Sequence, residues 1–304
     1  MQDLVIIGAG PGGISASIYA RRAGLNFLLL EKFSLGGQIL LTPHIENYPG
    51  VGKVSNQELL DGFKKHLDEF GITFLMDEAI SVSFSEGNFL VKTNASQYAS
   101  KGVILSTGSQ PRSLNVEGEK EFRGKGISYC AVCDGYFFKD KTVAVIGGGN
   151  TAVEEALYLS HIARKVYIVH RRNSFRAFKG LVEELHHTPN IEQVLEYVPL
   201  RFAGSQMLEK LVVRNVNTNQ EKILEVQGVF ISIGRAPQLP QIDDSLLEKD
   251  QQGFVITDQS MMTKTPGLFA CGDVRSQSVR QIVVACAQGA QAVSGFLSYF
   301  RAYP

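Results

Sequence analysis

Leu4-Val5-Ile6-Ile7-Gly8-Ala9-Gly10-Pro11-Gly12-Gly13 is the stretch that decides the fold. Four apolar residues run without alternation and stop at a glycine. Continuous apolarity suits a strand buried on both faces of a parallel sheet. Gly8, Gly10 and Gly13 then follow the spacing G-x-G-x-x-G. Between a strand and a helix, the first glycine makes a tight turn and the second lets the backbone approach a pyrophosphate. The third lets the helix pack close to the strand, and the helix N-terminus offers N–H groups to the phosphates. An amphipathic segment over 14–23 follows, with Gly24 as its stop. Phe27 to Leu30 make the next apolar strand, closed by Glu31. This is one βαβ unit. Glu31, 18 residues past Gly13, is placed to accept hydrogen bonds from ribose hydroxyls.

The pattern returns 139 residues later, counted from Gly8 to Gly147. Residues 142–146 read as a strand, Gly147-x-Gly149-x-x-Ala152 as the turn, 153–163 as a helix and 166–169 as a second strand. Asn150 and Thr151 stand at the turn beside Ala152, the third small residue. No acid follows this second strand. The sequence is instead His170-Arg171-Arg172, with Arg176 four residues on. Forked arginine donors pair with phosphate oxygens, whereas an acid there would repel a 2′-phosphate. The expectation is NADPH rather than NADH.

Two such units imply two mononucleotide-binding halves and an α/β fold of two Rossmann-like domains. Residues 72–94 alternate like an antiparallel meander with a turn near Glu86-Gly87. Residues 103–106 form another buried strand, followed by Thr107-Gly108, and 194–233 hold several β-rich runs. Breaks fall at 112–118 and at the Gly- and Pro-rich 234–240. The second domain is therefore expected at 114–240, inserted into a discontinuous domain of 1–113 and 241–304. Near the end of the chain, a strand at 268–271 closes on Gly272-Asp273, where the carboxylate can bind a polyol hydroxyl.

The chain has 304 residues, with 30 Lys and Arg against 30 Asp and Glu. Zero net charge gives no argument for nucleic acid or an anionic membrane. No stretch approaches the roughly 18 consecutive apolar residues of a membrane span. The opening residues lack a basic region and a cleavage site of the signal-peptide type, so the expected location is cytoplasmic.

Four cysteines are too few for a disulfide scaffold. Cys130 and Cys133 have C-x-x-C spacing, which closes a small disulfide ring readily. At a helix start, the dipole would lower the thiol pKa and favour exchange. Asp134 is placed to act as acid or base. Zinc would need four ligands, and Cys271 and Cys286 are isolated in apolar contexts that read as core packing.

Several further motifs complete a pattern: Gly36-Gly37-Gln38, Glu46-Asn47-Tyr48-Pro49-Gly50, Cys130-Ala131-Val132-Cys133-Asp134-Gly135, Gly272-Asp273-Val274 and Arg280-Gln281. With the two glycine loops and the His170-Arg171-Arg172-x-x-Phe175-Arg176-Ala177 run, they resemble the low-molecular-weight thioredoxin reductases over essentially the whole chain. The resemblance implies a homodimer with FAD and NADPH in each subunit and thioredoxin, or a thioredoxin-like protein, as partner. It implies that Gly37, Gln38, Asn47, Gly108, Gly272, Asp273, Arg280 and Gln281 join the first glycine loop at FAD. It implies too that Cys133 faces the flavin, Cys130 attacks the partner disulfide and Asp134 supplies a proton. The family also swivels its inserted domain between two orientations. This chain departs from the common pattern at Asn150, where Asp is frequent, at Cys271, where Ala is usual, and at Arg275-Ser276. Relatives that reduce ferredoxin lack the Cys pair. Relatives fed by ferredoxin or a deazaflavin lack the arginine cluster, as thiol oxidases that use oxygen tend to. A non-enzymatic flavoprotein redox sensor is the alternative of a different class.

Overall fold

The computed structural model describes residues 1–41, 44–277 and 279–302. The chain forms two compact units, Met1–Gln110 with Ala236–Pro304, and Pro111–Arg235.

In the first unit, β1 (Gln2–Ile7), α1 (Pro11–Arg22) and β2 (Phe27–Glu31) form the βαβ unit. The short ladder of β3 (His44–Ile45) and β4 (Val54–Ser55) leads into α2 (Asn56–Glu69). That helix opens with a capping box: Ser55 Oγ accepts from the Glu58 N–H, and the Glu58 carboxylate accepts from the Ser55 N–H. Then come β5 (Leu75–Met76), β6 (Ala79–Ser85), β7 (Asn88–Thr93) and β8 (Gln97–Leu105). Of the meander expected over 72–94, β6 and β7 pair antiparallel and the run continues into β8, whereas β5 pairs parallel to β2.

The chain leaves this unit through β9 (Ser109–Pro111). The second unit holds β10 (Ile127–Ser128), α3 (Ala131–Asp134), β11 (Thr142–Ile146), α4 (Asn150–Ser160), β12 (Lys165–His170) and α5 (Lys179–His187). It continues with β13 (Ile191–Leu195), β14 (Tyr197–Gly204), β15 (Leu208–Asn215), β16 (Glu221–Glu225) and β17 (Gly228–Ile231). The return runs through β18 (Arg235–Pro237) to β19 (Gln241–Ile242), β20 (Leu268–Ala270) and α6 (Ile282–Ala302).

The large sheet has the order β19-β6-β7-β8-β1-β2-β5, with β20 also on β8, and β1 is parallel to both β2 and β8. Its two faces explain the opening sequence. Leu4 and Ile6 pack on one side with Ile104 and Phe269, while Val5 and Ile7 pack on the other with Val103 and Leu105. Every residue of β1 from Leu4 to Ile7 is buried, so each must be apolar whichever way it points.

The second unit repeats the logic in a parallel sheet of order β10-β17-β11-β12-β13. Ala144 and Ile146 face one core cluster, Val143 and Val145 the other. An antiparallel β14-β15-β16 sheet accounts for the β-rich stretch before residue 234. The Gly- and Pro-rich break is more ordered than expected, because β18 pairs with β9 in a two-stranded ribbon where the chain passes between the units.

Among the described residues, α6 is long and apolar enough to cross a membrane. Single Ser, Gln and Gly residues interrupt its apolar run, which hides it from a count of consecutive apolar residues. In this fold it packs one face against α1, with Ala292, Val293 and Phe296 in the core. A Cβ on Gly289 would collide with the Gly12 carbonyl, so the two helices approach at backbone contact.

Candidate functional site

The first glycine loop has three distinct environments. Gly8 takes φ +101, and a Cβ there would run into the Ser106 carbonyl. A Cβ on Gly13 would meet the Gly8 carbonyl, so the helix and strand touch at that point. Gly10 has nothing within 4 Å of its Cβ position and caps α1 without any side-chain hydrogen bond. Open backbone at a helix N-terminus, with Pro11 as the first helical residue, is an anion cradle. The Glu31 carboxylate closes β2 beside it, accepting from the Ala9 N–H at 2.7 Å and the Phe33 N–H at 3.0 Å.

Of the remaining expected residues of this unit, Gly37 meets the loop, and most of the others meet one another. Gly37 lies 3.4 Å from the Gly10 Cα, measured from its Cβ position. Gln38 donates to the Ser109 carbonyl at 2.7 Å and to Asp273 Oδ2 at 3.3 Å, and its amide nitrogen lies 3.8 Å from the Cβ position of Gly108. Asn47 donates to Gln281 Oε1 at 3.0 Å. Gly272 and Asp273 begin a 3₁₀ turn, and α6 follows from Ile282. Arg280 lies 4.3 Å over the Phe254 ring. Its Nε and the Thr107 hydroxyl are buried with no hydrogen-bond partner among the described residues. Unmet buried polar atoms beside an open phosphate cradle fit a large polar cofactor.

The second loop repeats the device. Gly147 (φ +155) is pressed against the Ser232 carbonyl and Ala152, while Gly149 is open and caps α4 without a side-chain bond. Gly148, to which the sequence assigns no task, has none of this freedom: a Cβ would enter the His170 ring. His170 is buried and stacked on Phe175 at 5.6 Å, with Nε2 unpartnered among the described residues. Burial, then Arg176, Arg172 and Arg171, lower its pKa and keep the imidazole neutral. The Arg176 N–H donates to the Gly148 carbonyl at 2.7 Å, and Asn150 Oδ1 accepts from the Phe178 N–H at 2.9 Å. The arginine run is thus tied back onto the glycine loop, with Arg171 and Arg172 exposed. Thr151, the next residue of α4, is exposed.

Cys130 and Cys133 form a disulfide. Cys130 is the N-cap of α3, and its sulfur accepts from the Cys133 N–H at 3.2 Å. The same N–H would stabilise a thiolate at Cys130 after reduction. Asp134 accepts from the Ser128 hydroxyl at 2.6 Å through Oδ2, while Oδ1 is buried with no partner among the described residues. Burial raises the Asp134 pKa despite the Ser128 bond. A carboxyl whose pKa is raised, next to a disulfide, is suited to donate a proton to a sulfur. Asp134→Asn should slow disulfide exchange by about 10²-fold. It should also remove the alkaline decline in rate that ionisation of this acid produces, as read in a pH profile.

The residue before the pair is anchored as well. Tyr129 donates to Glu119 Oε1 at 2.8 Å. Glu119 is buried and also accepts from the Ser113 hydroxyl and the N–H groups of Leu114 and Asn115. Burial opposes ionisation, but these donors together hold its pKa below the usual value. A depressed carboxylate stabilises the fold above its unfolded pKa, and the contribution disappears as pH falls through the folded value. Glu119→Ala should therefore cost about 2–4 kcal/mol at neutral pH and much less in acid, measured by denaturant unfolding at the two pH values. Neither Glu119 nor Ser128 lies in a motif, and only the folded chain joins them to the cysteines.

The sequence profile described as pyridine nucleotide-disulphide oxidoreductase matches residues 2–289. The chain belongs to this family. Among pyridine nucleotide-disulphide oxidoreductases it is similar to a thioredoxin reductase of Helicobacter pylori, 40% identical across 99% of both chains. A thioredoxin reductase of Ureaplasma parvum is 39% identical across 95% of this chain and 94% of its own. The crystal structure of thioredoxin reductase from Streptococcus pyogenes is 37% identical with a TM-score of 0.93, covering 100% of this chain and 99% of that one. The α/β fold of two dinucleotide-type halves and the oxidoreductase class follow from this membership.

Proposed function

We propose that the protein is an NADPH-dependent thioredoxin reductase that passes electrons through FAD to the Cys130–Cys133 disulfide. The observation that carries the reading is that disulfide at the N-terminus of α3, next to a buried carboxyl whose pKa is raised, in a chain with two open glycine cradles. The relatives named above share its length and bear that name.

The unit of Met1–Gln110 and Ala236–Pro304 would hold FAD. Its residues are Gly8, Gly10 and Gly13 at the pyrophosphate, Glu31 at the ribose, and Gly37, Gln38, Asn47, Gly108, Gly272, Asp273, Arg280 and Gln281 around them. The unit Pro111–Arg235 would hold NADPH on Gly147, Gly149, Asn150, Thr151 and Ala152, with His170, Arg171, Arg172 and Arg176 at the 2′-phosphate. When bound, the two cofactors supply a two-electron reductant for the disulfide.

The chain's own residues perform the exchange. Two electrons and two protons open the Cys130–Cys133 bond to a dithiol. The Cys130 thiolate, held by the Cys133 N–H, attacks one sulfur of the partner disulfide and forms a mixed disulfide. The expelled partner sulfur leaves as a thiolate and takes a proton from Asp134. Cys133 then attacks Cys130, restoring the disulfide and releasing the second partner sulfur, which takes the Cys133 proton, while Asp134 regains the proton that Cys130 gave up. We place the enzyme in the cytoplasm as a homodimer, with neither nucleic acid nor membrane as partner.

The test is loss of NADPH absorbance by the purified yellow protein in the presence of an oxidised thioredoxin, with NADH in parallel. Thioredoxin-dependent turnover that favours NADPH is expected. NADPH oxidation with a disulfide dye but none with thioredoxin would sink the partner assignment.

A further inference from the structure

One acidic side chain that the exchange reaction leaves without a role touches α3 directly. Glu155 lies on α4, the helix of the second glycine loop. Its Oε1 accepts from the Ala131 N–H at 3.3 Å, the first amide of α3. Its Oε2 accepts from the Ser232 hydroxyl. Ser232 follows β17, and its N–H donates to the Ile146 carbonyl at 2.8 Å, at the end of β11. One carboxyl thus joins the redox helix, the glycine-loop helix and the end of a central strand.

We propose that Glu155 is a positioning residue for the Cys130–Cys133 pair, fixing the first amide of α3 and opposing thiolate formation at Cys130 with its charge. The proposal rests on the reading that this pair cycles between disulfide and dithiol. A helix start lowers a thiol pKa because its N–H groups and dipole favour the anion. Glu155 occupies one of those donors, the N–H of the residue that follows the Cys130 thiol. The charged neighbours that face it are Arg235, which favours its ionisation, and Glu154, which opposes it. Burial is the largest influence and holds its pKa above the usual carboxylate range. Its charge therefore grows in at a higher pH than that of an ordinary glutamate.

The experiment uses the full-length flavin-loaded protein, reduced with dithiothreitol, and needs neither NADPH nor thioredoxin. The rate at which iodoacetamide labels the Cys130 peptide is followed by mass spectrometry across pH. The Cys130–Cys133 equilibrium is read in parallel in glutathione buffers. Glu155→Gln keeps an oxygen for the Ala131 N–H and removes the charge. Its labelling midpoint should fall by about half a pH unit, giving roughly threefold faster labelling at neutral pH. Ser232→Ala frees the carboxyl from its donor and favours its neutral form, so a smaller shift of the same sign is expected. A Glu155→Gln profile that coincides with wild type overturns the proposal, even if the variant is less stable, because a purely structural residue would change the unfolding midpoint alone. A wild-type pair that no glutathione buffer can reduce overturns both this proposal and the reading beneath it. Normal wild-type cycling with an unmoved variant overturns this one alone.

Discussion

Cys130→Ser should lower NADPH-driven disulfide reduction by at least about 10³-fold, while the protein still folds and still retains its flavin. The exchange requires a thiolate that attacks and a neighbour that resolves, and only this pair offers both. The other cysteines are poor substitutes. Cys271 is fully buried, and burial pushes its thiol up to about 12. Cys286 is half-buried, its pKa raised by burial, and its thiol faces the Pro11 carbonyl and the Tyr48 hydroxyl. Neither supplies a reactive thiolate near neutral pH. Turnover of the variant with a disulfide dye and with thioredoxin is the measurement. Residual thioredoxin reduction near the wild-type rate would show that electrons leave by another route.

Replacing Arg171 and Arg172 together by Ala should raise KM for NADPH by about 10²-fold or more and leave NADH use nearly unchanged. Hydrogen bonds to a charged group are worth about 1.5–3 kcal/mol each, and both arginines are exposed where a phosphate can reach them. The loss should sit in KM rather than kcat, since the 2′-phosphate is distant from the chemistry and is bound equally in ground and transition states. The NADPH preference of wild type should also fall as salt rises, because exposed charges are screened. His170 belongs to the same run but should respond differently. It is a neutral ring packed on Phe175 and filling the space over Gly148, so its replacement would disturb the loop itself. Steady-state kinetics with both nucleotides distinguish the two cases.

The βαβ halves are legible in the sequence because their signals are local. A strand buried on both faces must be apolar at every position, as Leu4–Ile7 and Val143–Ile146 are. A glycine that abuts a carbonyl cannot be replaced, as at Gly8 and Gly13. The reading is less complete where partners are remote. The β9–β18 ribbon draws a strand out of the 234–240 stretch that reads as a break, because pairing rather than propensity makes it a strand. The capping box at Ser55 and Glu58 is a local signal for α2 that motif reading passes over. The cysteines and Asp134 announce themselves through a motif. Ser128, Glu119 and Glu155 do not, since a carboxylate on α4 meets Ala131 and Ser232 only after the sheet has formed.

The ribbon of β9 and β18 brings the exit and the return of the chain side by side. A segment whose two ends are neighbours can be removed or exchanged without stretching what remains. Residues 111–235 form such a cassette, with its own sheet, its own core clusters and the reactive cysteines. Grafting or excising this stretch of chain therefore disturbs the surrounding unit at one seam alone, the β9–β18 ribbon.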